Sequence, residues 1–131
     1  MSRGYVMPER IIDMRTGRTM HRQFLGSVLY GRLQLERCTK SAGMFDLVWT
    51  GIDPKRAIDE RLSGLIAMCW SLSTLRTGKP LPKPRPIALG DGSWWLARLA
   101  PGNYTVERDD NGGVALYEWM QPQKKITRPT R

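Results

Sequence analysis

Histidine occurs once (His21) and cysteine twice (Cys38, Cys69) in 131 residues. A structural zinc takes about four close ligands, and no Cys-x-x-Cys or paired Cys/His spacing is present, so no such site is expected. The same scarcity gives no support to a Cys–His nucleophile, which needs an imidazole against the thiol. Cys69 falls inside an apolar helical stripe. A single Cys38–Cys69 disulfide is one option, and the preferred reading is two reduced, buried thiols of a cytoplasmic protein.

Long apolar runs are also missing. None approaches the roughly 18–20 residues that cross a bilayer, so no membrane partner is expected. Residues 1–22 are polar and Arg-punctuated, without the apolar core of a signal peptide. The phosphate loop, the dinucleotide fingerprint and the Gly-x-Ser-x-Gly elbow are all absent, and Gly90-Asp91-Gly92-Ser93 fits none of them. The carboxylates do not converge. Asp59 and Glu60 are adjacent, about 100° apart on a helix, Asp109-Asp110 suits a turn, and Glu9 with Asp13 makes only an i, i+4 pair. A metal-dependent nuclease wants several converging carboxylates. The sequence therefore reads as a non-enzymatic protein with no cofactor and no metal.

What is present is a globular composition: 40% hydrophobic, 25% charged, of a length that suits one domain. No internal repeat is found. Residues 1–20 read as a basic arm, irregular or a short strand pair. Residues 21–38 are ambiguous. Phe24, Leu25, Val28, Leu29 and Leu33 suit one helical face, whereas Leu33 and Leu35 with polar neighbours alternate as a strand would. Helix is the preferred reading there, with a hairpin as the other. Residues 44–50 suit a short strand or an apolar lead-in to the next helix.

Asp53 before Pro54 suits a helix start. Ala57, Ile58, Leu62, Leu65, Ile66, Cys69, Leu72 and Leu75 then recur at helical spacing. The pattern predicts a long helix over 54–76, with Gly78 as its stop. Residues 79–86 alternate proline and read as an extended connector. Turns at 90–92, 101–103 and 109–113 separate three strands between 94 and 120, a predicted antiparallel meander. The expected fold is α+β, one domain over 21–120: the long amphipathic helix packed on this small C-terminal meander, with the basic arm at one end and a basic tail, 121–131, at the other.

The net charge of +9 is unevenly spread: +5 in residues 1–40, 0 in 41–77, +3 in 78–100, −3 in 101–120 and +4 in 121–131. Arginine outnumbers lysine 15 to 6, and its planar guanidinium grips phosphates bidentately. Basic segments of this kind bind polyanions with strong salt dependence. DNA or RNA is thus the first expected partner, contacted by Arg15, Arg18, Arg22, Lys83, Arg85, Lys124 and Lys125.

The five tryptophans carry the alternative. Trp94 and Trp95 are adjacent, so on a strand they point to opposite faces. Trp119 and Tyr117 share a face, while Trp49 and Trp70 suit the core. An exposed tryptophan on the same sheet as Arg98 suits base stacking or a protein hot spot. Trp94 or Trp95, Tyr117 and Trp119 therefore form the expected anchors of a protein-interaction module, such as an inhibitor or regulator of a host complex or a particle subunit. Size, Arg-rich basicity and the lack of enzyme motifs are typical of small phage or plasmid proteins. Self-association through the 54–76 stripe into a homo-oligomer is a third reading.

Overall fold

The computed structural model describes residues 9–51, 60–79 and 84–120. It is an α+β protein dominated by strands: among the described residues there are eight strands in two four-stranded antiparallel sheets, and one helix. In chain order these are β1 (Glu9–Ile12), β2 (Thr19–Val28), β3 (Arg32–Arg37), β4 (Phe45–Thr50), α1 (Glu60–Thr77), β5 (Ile87–Ala88), β6 (Ser93–Leu99), β7 (Tyr104–Arg108) and β8 (Val114–Met120). The first sheet runs β1-β2-β8-β7 and the second β3-β4-β6-β5.

The helix preferred over 21–38 is overturned: this stretch is β2, a short turn and β3. The cause is a β-bulge. Phe24 pairs with Tyr117 and Gly26 with Leu116, so Leu25 is the extra residue. A bulge resets the inside-outside alternation, and Leu25 and Val28, three apart, both enter the core. That spacing imitates a helix. Gly26 sits at φ +152°, with Leu65 of α1 directly over it. Within the expected basic arm, the strand-pair reading is the one found. Residues 9–12 and 19–20 are strand, joined by a turn in which Asp13 Oδ1 accepts from the Arg15 amide at 2.9 Å. Residues 1–8 lie outside the described ones, as does the tail 121–131.

The helix is present over Glu60–Thr77; positions 54–59 and the Asp53 start signal are outside the described residues. Leu62, Leu65, Cys69 and Ser73 make its buried face, and Gly78 at φ +69° ends it by donating to the Thr74 carbonyl. Leu75, counted in the predicted stripe, is 77% exposed. The helix packs on β2 and β6, one strand from each sheet, rather than on a C-terminal meander.

The three-stranded meander is likewise corrected. β7 and β8 form a hairpin, but β6 belongs to the other sheet, between β4 and β5. Leu96, Ala97 and Leu99 are all at most 1% exposed, so β6 is a central strand with the helix on it. Where the chain crosses between sheets, the Ala100 amide donates to Ser73 Oγ at 2.9 Å, which ties the crossover to the helix. The core is continuous between both sheets and α1, built from Leu25, Val28, Leu33, Leu47, Trp49, Leu65, Leu96, Leu99 and Leu116 among others. Each such large apolar side chain contributes about 1.5–3 kcal/mol on burial. Both cysteines are free and buried. Among the described residues no helix is long and apolar enough to cross a membrane, and no cluster of three metal-ligating side chains occurs.

Candidate functional site

The outer face of the first sheet gathers side chains distant in sequence. Register sets Arg22 opposite Trp119, Phe24 opposite Tyr117, and Thr105 opposite Tyr117 on its other side. Cross-strand partners share a face, so five side chains from three strands meet there. The Arg22 guanidinium lies 3.8 Å from the centre of the Tyr117 ring and 5.5 Å from that of Trp119. It ends in an ion pair with Glu107. Phe24 meets Tyr117 edge to face, ring centres 5.7 Å apart at 63°, and is 42% exposed. The Trp119 indole N–H donates to Thr105 Oγ1 at 2.7 Å. The result is an aromatic shelf with the Arg22 guanidinium lying over its Tyr117 ring.

Sequence reasoning put Arg22 with the phosphate contacts and Tyr117 and Trp119 with a protein interface; the structure brings all three together. Arg15 and Arg18 are exposed in the β1–β2 turn. His21 pairs with Met120, so this turn lies beyond the point where the chain leaves β8. Lys124, Lys125 and Lys83 lie outside the described residues. Arg85 is exposed elsewhere, alongside the helix residues Ile66 and Trp70. Trp94 packs against the core.

Trp95 does point outward, on the second sheet. Leu47 pairs with Ala97 but Val48 with Trp95, so Leu96 is an extra residue. This second bulge places Trp95 and Arg98 on one face, which a period of two would forbid. Both donate to the same atom, Asp46 Oδ1, from the Trp95 indole at 3.0 Å and from Arg98 Nε at 3.1 Å. Phe24, Thr105, Glu107 and Asp46 were missed by sequence reasoning. Only the registers join them to the predicted residues, and an unseen bulge hides a register.

Beneath the aromatic shelf, on the core side of β8, Glu118 is buried and bound by both amino groups of Arg76, one of them at 2.6 Å, and by Gln23 Nε2 at 3.2 Å. Hydrogen bonding to Glu118 raises the Arg76 pKa. Burial first, and the Glu118 charge second, pushes Tyr104 up to about 12. Burial alone pushes the Cys69 thiol to about 12. A folded-state pKa above the unfolded value means the folded protein holds that proton more tightly. This contribution is intact below the unfolded thiol pKa of about 9 and is lost as pH rises toward 12. Urea unfolding from pH 8 to 11 is therefore expected to show falling stability, flatter in Cys69→Ala; a pH-independent midpoint over that range contradicts it.

Searches against protein-family models, characterised proteins and solved structures found no match to this chain.

Proposed function

We propose that this is a small non-enzymatic protein that binds single-stranded nucleic acid, DNA or RNA, as an accessory or regulatory factor. The observation that carries the reading is the shelf of Phe24, Tyr117, Trp119 and Arg22 on one sheet face, with the Arg15/Arg18 turn at its end. Bases stack on aromatic faces whatever their sequence. Phosphates pair with guanidinium groups, here Arg15 and Arg18 in the turn at the end of the shelf; Lys124 and Lys125, outside the described residues, are proposed as further phosphate contacts on charge alone. Arg22 also belongs to the shelf itself. Tied to Glu107 and stacked on Tyr117, it holds the shelf flat and adds cation–π attraction.

Anisotropy of a labelled oligonucleotide tests this. Affinity is expected to fall at least about tenfold between about 20 mM and 200 mM salt, as a few phosphate contacts require. Phe24→Ala is expected to weaken binding about 5- to 100-fold, the worth of one stacked base. Arg15→Glu with Arg18→Glu is expected to flatten the salt slope. Absence of binding at low salt, or binding indifferent to Phe24, contradicts the proposal.

One observation favours a second reading, a protein-docking face. Arg22 is ion-paired with Glu107 and its side chain is only 14% exposed, so the face presents aromatic surface more than open charge, as the core of a protein interface commonly does. Co-purification of a host protein that survives nuclease and is abolished by Trp119→Ala supports this reading over the first.

A further inference from the structure

We propose that the cleft on the second sheet binds a small flat-ringed anion of the nucleoside monophosphate class. This site is separate from the aromatic shelf and does not rest on the reading of that shelf. The cleft has a volume of about 360 Å³ and is walled by Trp70 of α1, by Pro84, Ile87 and Leu89, and by Trp95 of β6. That volume lies at the lower end of the roughly 300–1,000 Å³ typical of small-ligand pockets. Two tryptophans and a proline ring supply flat apolar surface, which favours a planar ring over a branched aliphatic group.

The polar groups select an anion. Arg98 spends Nε on Asp46, and among the described residues Asp46 is its only partner. Both terminal amino groups are left for a ligand, in the paired geometry that suits phosphate or carboxylate. The Asp46 charge is offset by Arg98, and Lys40, exposed at the rim of the cleft, supplies the surplus positive charge. Asp46 also fixes the site before any ligand arrives. One oxygen holds the Trp95 indole and the Arg98 guanidinium at 3.0 and 3.1 Å, so the ring wall and the anion-binding group are set relative to each other. Such preorganisation lowers the ordering cost of binding.

The test is a titration of the full chain with AMP, followed by NMR shifts of the tryptophan indole N–H groups. Saturable shifts with a Kd near about 0.1–1 mM are expected, a modest affinity suited to a half-open site. Adenosine, lacking the phosphate, and ribose 5-phosphate, lacking the ring, are each expected to bind at least about tenfold more weakly. Lys40→Glu, on an exposed loop where folding is not at stake, is expected to weaken AMP at least about tenfold. Arg98→Gln is expected to do the same, its thermal unfolding checked in parallel. A 5′-phosphorylated strand end shares this chemistry and forms the second arm. Shifts at the Trp95 indole with the oligonucleotide but not with AMP overturn the proposal. So do the absence of saturation by about 5 mM AMP, equal binding of adenosine and AMP, and an unchanged Kd in Lys40→Glu.

Discussion

Gly26→Ala is expected to lower unfolding stability by about 3 kcal/mol, a drop of roughly 10 °C or more in Tm for a chain of this length. Two costs combine. At φ +152° a side chain is strained whatever the space around it, and the added Cβ would stand 2.8 Å from the Leu65 Cα and 2.9 Å from its Cβ. Leu65 is fully buried on α1, so the contact is relieved only if helix and sheet move apart. Overpacking of this kind costs about 1–3 kcal/mol, and an unfavourable backbone about 1–3 more. Gly64, next to Leu65 on the exposed side of the helix, provides the contrast. Its Cβ would meet nothing within 4 Å. Gly64→Ala is expected to stabilise by about 0.5–1 kcal/mol, because glycine is a poor helix residue. Urea denaturation of the two variants checks the pair. A loss under about 1 kcal/mol in Gly26→Ala contradicts the close approach of helix and bulge.

Arg76→Ala is expected to cost about 3 kcal/mol. The substitution leaves the buried Glu118 with Gln23 as its side-chain donor. Removing one partner of a buried ion pair typically costs about 3–5 kcal/mol. The Arg76 side chain is 34% exposed, so water reaches the vacated side and the lower end applies. Arg76→Lys is expected to fall between, since an ammonium cannot replace the two-pronged contact. Replacing both partners, Arg76→Leu with Glu118→Leu, is expected to recover most of the loss, because no uncompensated charge is left in the core. Chemical denaturation of the three variants gives the coupling. A double variant no more stable than Arg76→Ala contradicts this account.

The two predictions mark where the sequence was legible and where it was not. The helix was readable over its described length because Leu62, Leu65 and Cys69 keep a regular spacing and Gly78 stops it. The β7–β8 hairpin was readable from its turn. Asp109 Oδ1 accepts from the amides of Asn111 and Gly113, each at 2.8 Å, and this is local chemistry that the residues themselves announce. β2 was misread because its bulge at Leu25 shifts the alternation and brings Leu25 and Val28 to one side. Gly26 is the point where a helix lands on a strand, a contact no local pattern announces. β6 was assigned to the wrong sheet because strand pairing is non-local. Nothing in residues 93–99 states that their neighbours are β4 and β5 rather than β7.

The aromatic residues of the shelf were half visible. Alternation along β8 put Tyr117 and Trp119 on one face, as found. That Arg22 and Phe24 lie opposite them depends on the β2–β8 register, and so does the pairing of Arg22 with Glu107 across β8. Charge counting marked Arg22 as a phosphate contact. Its position over the Tyr117 ring makes it part of the shelf as well.

A residue-resolved titration tests the role of that shelf most directly. A short single-stranded oligonucleotide is added to isotope-labelled full-length protein at low salt, and backbone and indole shifts are followed. The largest changes are expected on Arg22, Phe24, Tyr117 and Trp119 and on the turn carrying Arg15 and Arg18, and their appearance there supports nucleic-acid binding by the shelf. The Trp49 indole, held by the Tyr30 carbonyl in the core at 3.0 Å, is expected to stay unmoved. Changes confined to other surfaces, or none at all at saturating strand, contradict binding by the shelf.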